Sequence, residues 1–193
     1  MTKLIQIMLL ALLPLTVHAA ADAQAGKVKA QACLACHGAN GMSNAGSIPS
    51  LAAQQPLYIL YQLIQYREQR RIAAPMNAIA ATLSDGDMRD LAAYYGGLPA
   101  SAAATGLDPA KIELGRLVSQ RSHCQSCHMP DLRGQKHVPR LSGQHPEFLT
   151  QQLLGLRDGS RHDIDGSMAS AAQGLTDAEI EALAQFSAAF TSP

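Results

Sequence analysis

The sequence predicts an all-α protein made of two small helical domains in tandem, and three observations carry that prediction. Cys33-Leu34-Ala35-Cys36-His37 recurs as Cys124-Gln125-Ser126-Cys127-His128, 91 positions on (124 minus 33). The likeness spreads outward from these pentapeptides. Ile48-Pro49-Ser50-Leu51 answers to Val138-Pro139-Arg140-Leu141, Pro56 to Arg67 answers to Pro146 to Arg157, and Leu83-Ser84-Asp85 answers to Leu175-Thr176-Asp177, so the chain is one unit written twice. Apolar residues recur at helical spacing in both copies, and no alternating strand pattern is present.

Residues 1–20 read as a secretory signal: Lys3, an apolar run from Leu4 to Val17, then small residues through Ala23. The run contains Pro14 and falls short of the roughly 20 residues a spanning helix needs. Cleavage after Ala19, Ala21 or Ala23 is equally compatible with the pattern. An exported chain follows, placed in the periplasm, where an oxidising compartment suits a protein with four cysteines in two motifs. The expected units are residues 21–100 and 101–193, with a linker from Gly96-Gly97-Leu98-Pro99 to Asp108-Pro109. The chain holds 15 basic and 15 acidic residues. Loss of Lys3 leaves the mature protein near neutral, with no basic run and nothing to bind nucleic acid.

Each copy reads as helix, cysteine loop, helix, loop, helix. The first helix is expected from Gly26 or from about Pro109 up to the first cysteine. The middle helix opens with Pro56 or Pro146, since proline's missing N–H has no partner at the first helical position. Leu60, Leu63 and Ile64, or Leu149, Leu153 and Leu156, then follow on one face. The last helix begins at Ser84 or Thr176, with Asp87 or Glu179 three residues on to close a capping box. Its apolar stripe is Met88, Leu91, Ala92 and Tyr95, matched by Ile180, Leu183 and Ala184.

The pentapeptides carry the chemistry. Two thiols separated by two residues, with a histidine next, can join both vinyl groups of a haem by thioethers and offer an imidazole to the iron. A thioredoxin-like pair needs a βαβ setting, and zinc halves usually lie about 15 to 20 residues apart. A disulfide gives no reason for the histidines. Cys33, Cys36, Cys124 and Cys127 are therefore expected to attach two haem c groups, with His37 and His128 on the irons.

A methionine on the opposite face raises the potential and suits electron transfer; an open face suits gas binding or peroxidase chemistry. Met42 is five residues past His37, Met88 answers to Ile180 on a core stripe, and Met129 directly follows His128. That leaves Met76 and Met168, each seven residues before the matched Leu83 or Leu175. Pro49 and Pro139 are candidates to accept a hydrogen bond from the ligand histidines. Arg67, Arg71, Arg157 and Arg161 are candidates to meet haem propionates. His123, His137, His145 and His162 have no matched histidine and read as surface residues. Asp163 and Asp165 stand close before Met168, whereas Arg70 and Arg71 precede Met76, so the C-terminal haem is expected to have the lower potential.

With Cys36-His37-Gly38-Ala39-Asn40-Gly41, Pro49-x-Leu51-Ala52-x-Gln54, Pro139-x-Leu141-Ser142-Gly143-Gln144 and Asp90-Leu91-Ala92-Ala93-Tyr94-Tyr95 in place, the chain resembles the cytochrome c4 family. The resemblance covers nearly all of the mature chain. It implies two tandem class I cytochrome c domains, each wrapped around a covalent haem, with His37 and Met76 on one iron and His128 and Met168 on the other. It also implies a periplasmic electron carrier of the respiratory chain, from a quinol-oxidising complex to a terminal oxidase or other acceptor, with peripheral membrane association left open. The alternative is the dihaem cytochrome subunit of a flavocytochrome sulfide dehydrogenase, with a flavoprotein partner. Two positions depart from the pattern: Met129 stands where the first copy has Gly38, and Ala52-Ala53 where the second has Ser142-Gly143.

Overall fold

The computed structural model describes residues 20–190; the signal segment other than Ala20 lies outside the described residues. In the N-terminal copy, α1 (Ala23–Lys29) runs through a 3-10 turn (Ala30–Cys33) into α2 (Leu34–His37). Then come α3 (Pro56–Arg67), α4 (Ala74–Ala80) and α5 (Asp85–Gly96). The C-terminal copy repeats the order as α6 (Pro109–Arg121), α7 (Cys124–His128), α8 (Pro146–Asp158), α9 (Ser167–Ala172) and α10 (Asp177–Ala188). An isolated bridge between Gln135 and Val138 is the one β pairing among the described residues. Among them, too, no helix is long and apolar enough to cross a membrane.

The middle helices start at Pro56 and Pro146, and Ser84 and Thr176 cap the last ones with both halves of the capping box formed. The first helix starts three residues earlier than the sequence suggests, because the Asp22 carboxylate accepts from the amides of Gln24 and Ala25. The methionine loops of the expectation are the short helices α4 and α9. They were illegible because seven and six residues cannot display a helical period.

In each copy the first and last helices cross at a glycine. A Cβ on Gly26 would lie 2.0 Å from the Asp90 carbonyl oxygen, and one on Gly115 would lie 2.1 Å from that of Ala182. Only a glycine lets two backbones approach this closely. Around the N-terminal crossing, Ala30, Ile59, Leu63, Met88, Leu91 and Tyr95 form a buried core, which Cys33 and Met76 line at its edge. The C-terminal counterpart is Val118, Leu175, Ile180 and Leu183, with Cys124 packed against it.

The copies meet through reciprocal hydrogen bonds. The Gln54 side chain donates to the Arg140 carbonyl at 3.0 Å and accepts from the Arg140 amide at 2.7 Å. Gln144, 90 positions after Gln54, donates to the Ser50 carbonyl and accepts from the Ser50 amide, both at 2.9 Å. Ser50 and Arg140 are themselves 90 apart, so each bond has its mirror, as in a two-fold interface between identical subunits. The pattern continues outward: Gln55 donates to the carbonyls of Arg133 and Gly134, and the ring of its counterpart His145 bonds the Ser43 carbonyl at 2.9 Å. His145 is thus an interface residue and not the surface residue that its lack of a matched histidine suggests. His123, His137 and His162 are exposed.

Candidate haem sites

Each pentapeptide is wound into a helical turn that carries both thiols and the imidazole. Cys33 and Cys124 are half-buried, Cys36 and Cys127 exposed, and all four thiols are free. Burial pushes the thiols of Cys33 and Cys124 upward, so the unmodified side chains are neutral thiols. His37 and His128 are buried, and burial pulls both imidazoles below their ordinary value, keeping them neutral as iron requires.

Ring orientation is set on the far side. Nδ1 of His37 lies 2.9 Å from the Pro49 carbonyl, and Nδ1 of His128 lies 2.9 Å from that of Pro139. A proton on Nδ1 leaves Nε2 as the lone-pair nitrogen. Nε2 of His128 is buried without a hydrogen-bond partner. A buried polar atom is rarely left so, and one beside two free thiols fits an iron bond. Among the described residues no group of three or more His, Cys, Asp or Glu could hold a metal ion, so the motifs do not converge on a common zinc centre.

Met76 sits on α4 and Met168 on α9, both half-buried. The two short helices are anchored by different groups that the sequence reading missed. Asn77, buried, accepts from the Ala73 amide at 2.7 Å and donates to the carbonyls of Tyr66 and Arg71 at 2.7 and 2.8 Å. In the second copy the Asp163 carboxylate accepts from the amides of Met168 and Ala169 at 2.7 and 3.3 Å. A polar residue directly after a candidate ligand was the available sign for Asn77. The sequence shows the charge of Asp163 and not this bond.

The four arginines divide into two kinds. Arg67 pairs with Asp85 at 2.7 Å, and Arg157 pairs with Asp177 at 2.6 Å, so these two tie α3 to α5 and α8 to α10. Arg71 and Arg161 converge between the copies. Arg71 stacks 4.8 Å from the centre of the Tyr66 ring and donates to Gln62 and Gln152, while Arg161 donates to the Tyr58 hydroxyl at 3.1 Å. Burial draws Arg71 below its ordinary value, and repulsion from the Arg161 guanidinium adds to this. Among the described residues neither pairs with a carboxylate.

Comparison with known proteins places this geometry. The cytochrome c family model matches residues 23–98 and again 112–186. The chain is 35% identical to a cytochrome c4 of Pseudomonas aeruginosa, over 96% of this chain and 98% of that one. It is 34% identical to a thiosulfate dehydrogenase electron acceptor of Thiomonas intermedia, over 83% and 79%. The crystal structure of reduced cytochrome c4 from Pseudomonas stutzeri superposes with a TM-score of 0.83 at 31% identity, covering 89% of this chain and all of that one. Two like folds matched nearly end to end by dihaem relatives make the conclusion plain: the chain belongs to the cytochrome c family, as an electron-transfer protein of the cytochrome c4 kind with two covalently attached haem c groups.

Proposed function

We propose that residues 21–100 and 101–193 each hold one haem, the first on Cys33 and Cys36 and the second on Cys124 and Cys127. His37 and Met76 ligate the first iron, and His128 and Met168 the second. The observation that carries the reading is the buried, partnerless Nε2 of His128, its ring fixed by Pro139. Contacts support the boundary near residue 100. The Ala104 amide bonds the Ala188 carbonyl, and the Asp108 amide bonds Gln185, so the chain past 100 packs on the C-terminal copy.

Each haem iron supplies a one-electron ferric/ferrous couple when bound. The protein's own groups make that couple useful. The histidines are neutral and oriented, and the methionines, as iron ligands, would raise the potential and exclude small ligands. Arg71 and Arg161 offer two unneutralised cations to propionates at the junction of the copies. Buried charge of that kind calls for an anion.

The chain carries electrons in the periplasm from a quinol-oxidising complex to a terminal oxidase. A second acceptor role, from a sulfur-oxidising dehydrogenase, is favoured by the relative described as a thiosulfate dehydrogenase electron acceptor. Purification from periplasm and membranes separately, with haem, flavin and co-purifying chains measured, tests both. Two haems with no flavin and rapid oxidation by an oxidase support the carrier; a stoichiometric flavoprotein points to a sulfide-dehydrogenase subunit instead. Converting Cys33 and Cys36 to alanine is expected to leave one haem per chain, and converting Cys124 and Cys127 likewise, each read by mass and pyridine haemochrome. Two haems in either variant would refute the attachment sites.

A further inference from the structure

The first and last helices of each copy carry a pair of buried residues that differs between the copies. Four residues past the crossing glycine stand Ala30 (30 minus 26) and Ser119 (119 minus 115). Ten residues past the start of the last helix stand Tyr95 (95 minus 85) and Ser187 (187 minus 177). Two of these four side chains, Tyr95 on α5 and Ser119 on α6, end in hydroxyls that are buried without a hydrogen-bond partner. A buried hydroxyl is rarely left so. Both lie beside the first cysteine of a pentapeptide. Cys33 packs against the core that contains Tyr95, and Cys124 packs against the core that contains Val118, the neighbour of Ser119. Burial raises both thiols, and the Tyr95 hydroxyl on Cys33 and the Ser119 hydroxyl on Cys124 act the other way, as donors to sulfur do. Burial, and then Cys33, pushes the Tyr95 phenol well up, so it keeps the proton it would donate. Opposite helices thus bring the same group to the same sulfur in the two copies.

We propose that Tyr95 and Ser119 are positioning residues for the two haems: each hydroxyl donates a hydrogen bond to the thioether sulfur of the first cysteine, Cys33 or Cys124, and so holds the attached edge of the haem in place. The proposal rests on Cys33 and Cys124 as attachment sites. A thioether sulfur has no proton of its own and keeps lone pairs, so it is a weak acceptor and never a donor, which suits a neighbour that can donate. The second cysteines, Cys36 and Cys127, are exposed, and water serves them without a built partner.

The test is resonance Raman spectroscopy of the full dihaem protein, reading the carbon–sulfur stretching bands of the thioethers in H2O and after equilibration in D2O. A sulfur that accepts from a hydroxyl shifts its band when that proton is replaced by deuterium. Tyr95→Phe keeps the ring and removes the donor, and it is expected to abolish the N-terminal part of the deuterium shift. Ser119→Ala is expected to abolish the C-terminal part, and Ser119→Thr, which keeps a hydroxyl, to retain it. The double variant Tyr95→Phe/Ser119→Ala loses both parts. All four proteins are expected to keep two haems per chain by mass and pyridine haemochrome, so a change in the bands reports the hydrogen bond and not loss of the cofactor. A deuterium shift retained in full by Tyr95→Phe or by Ser119→Ala, or a parent protein whose bands ignore deuterium, overturns the proposal. The attachment reading fails by a different signal: two haems per chain in a variant with both cysteines of one pentapeptide changed to alanine, which overturns the proposal with it.

Discussion

The turn that leaves the ligand histidine is where the two copies of this chain differ most instructively. Gly38 and Met129 hold nearly the same backbone, φ 77° and ψ 157° against φ 71° and ψ 157°, a region essentially reserved for glycine. The reverse exchange occurs at the interface loop, where Ala53 has φ 53° and its counterpart Gly143 has φ 68°. The two departures from the family pattern thus fall on positive-φ positions where one copy has glycine and the other a residue with a side chain, in nearly the same conformation. The two copies share the backbone that aims the histidine while differing in residue type, at a cost in strain in the copy without glycine. The Asn77 and Asp163 anchors tell the same story with polarity in place of strain.

Breaking what the copies share gives the largest effects. Gly26→Ala and Gly115→Ala are each expected to cost about 3 kcal/mol or more, because the added Cβ meets a backbone carbonyl that cannot turn aside. Denaturant melts of the holoprotein measure this, and a loss under 1 kcal/mol at either site would show that the crossing relaxes. Next come Gln54→Ala and Gln144→Ala, each leaving a buried amide and carbonyl unpaired at the cost of about 2–4 kcal/mol. Near-equal losses support the two-fold reading of the interface, and a large inequality contradicts it.

Smaller effects sharpen the contrast. Met129→Gly is expected to stabilise the protein by about 1–3 kcal/mol through release of backbone strain, with Ala53→Gly giving less because its left-handed conformation is milder. A destabilised Met129→Gly would mean that the methionine side chain contributes more packing than its backbone costs. The smallest effect concerns acid. The Ser84 hydroxyl and then Lys29 hold Asp87 down to about 2, and the Thr176 amide and then Arg121 hold Glu179 down to about 2. Both carboxylates contribute stability above their ordinary values near pH 4, and that contribution fades as pH falls from there toward 2. Thermal melts at pH 6, 4 and 2.5 should show the larger loss in the lower interval. Asp87→Asn and Glu179→Gln should flatten it by similar amounts.

Most of the covalent and local order is legible in the order of residues. A spacing of two between cysteines, a proline at the first turn, and a Ser or Thr followed three residues on by an acid are rules about neighbours along the chain. They determine the haem motifs, the starts of α3, α5, α8 and α10 and the duplication itself. The same neighbour logic found Pro49 and Pro139, which stand 12 and 11 residues after their histidines within matched segments.

What only the tertiary structure decided are relations between groups far apart in sequence. Gln54 was visible as a repeated residue, yet its partner lies 86 residues away, and nothing local names it. The four arginines look alike in sequence, and their division into surface ion pairs and an interface cluster depends on which carboxylate the fold brings within reach. Asn77 and Asp163 do one job from unlike positions, one residue after the methionine and five before it. Hydrogen bonds are satisfied by proximity in space, so a backbone amide accepts whichever acceptor the packing delivers, and sequence position alone does not select it.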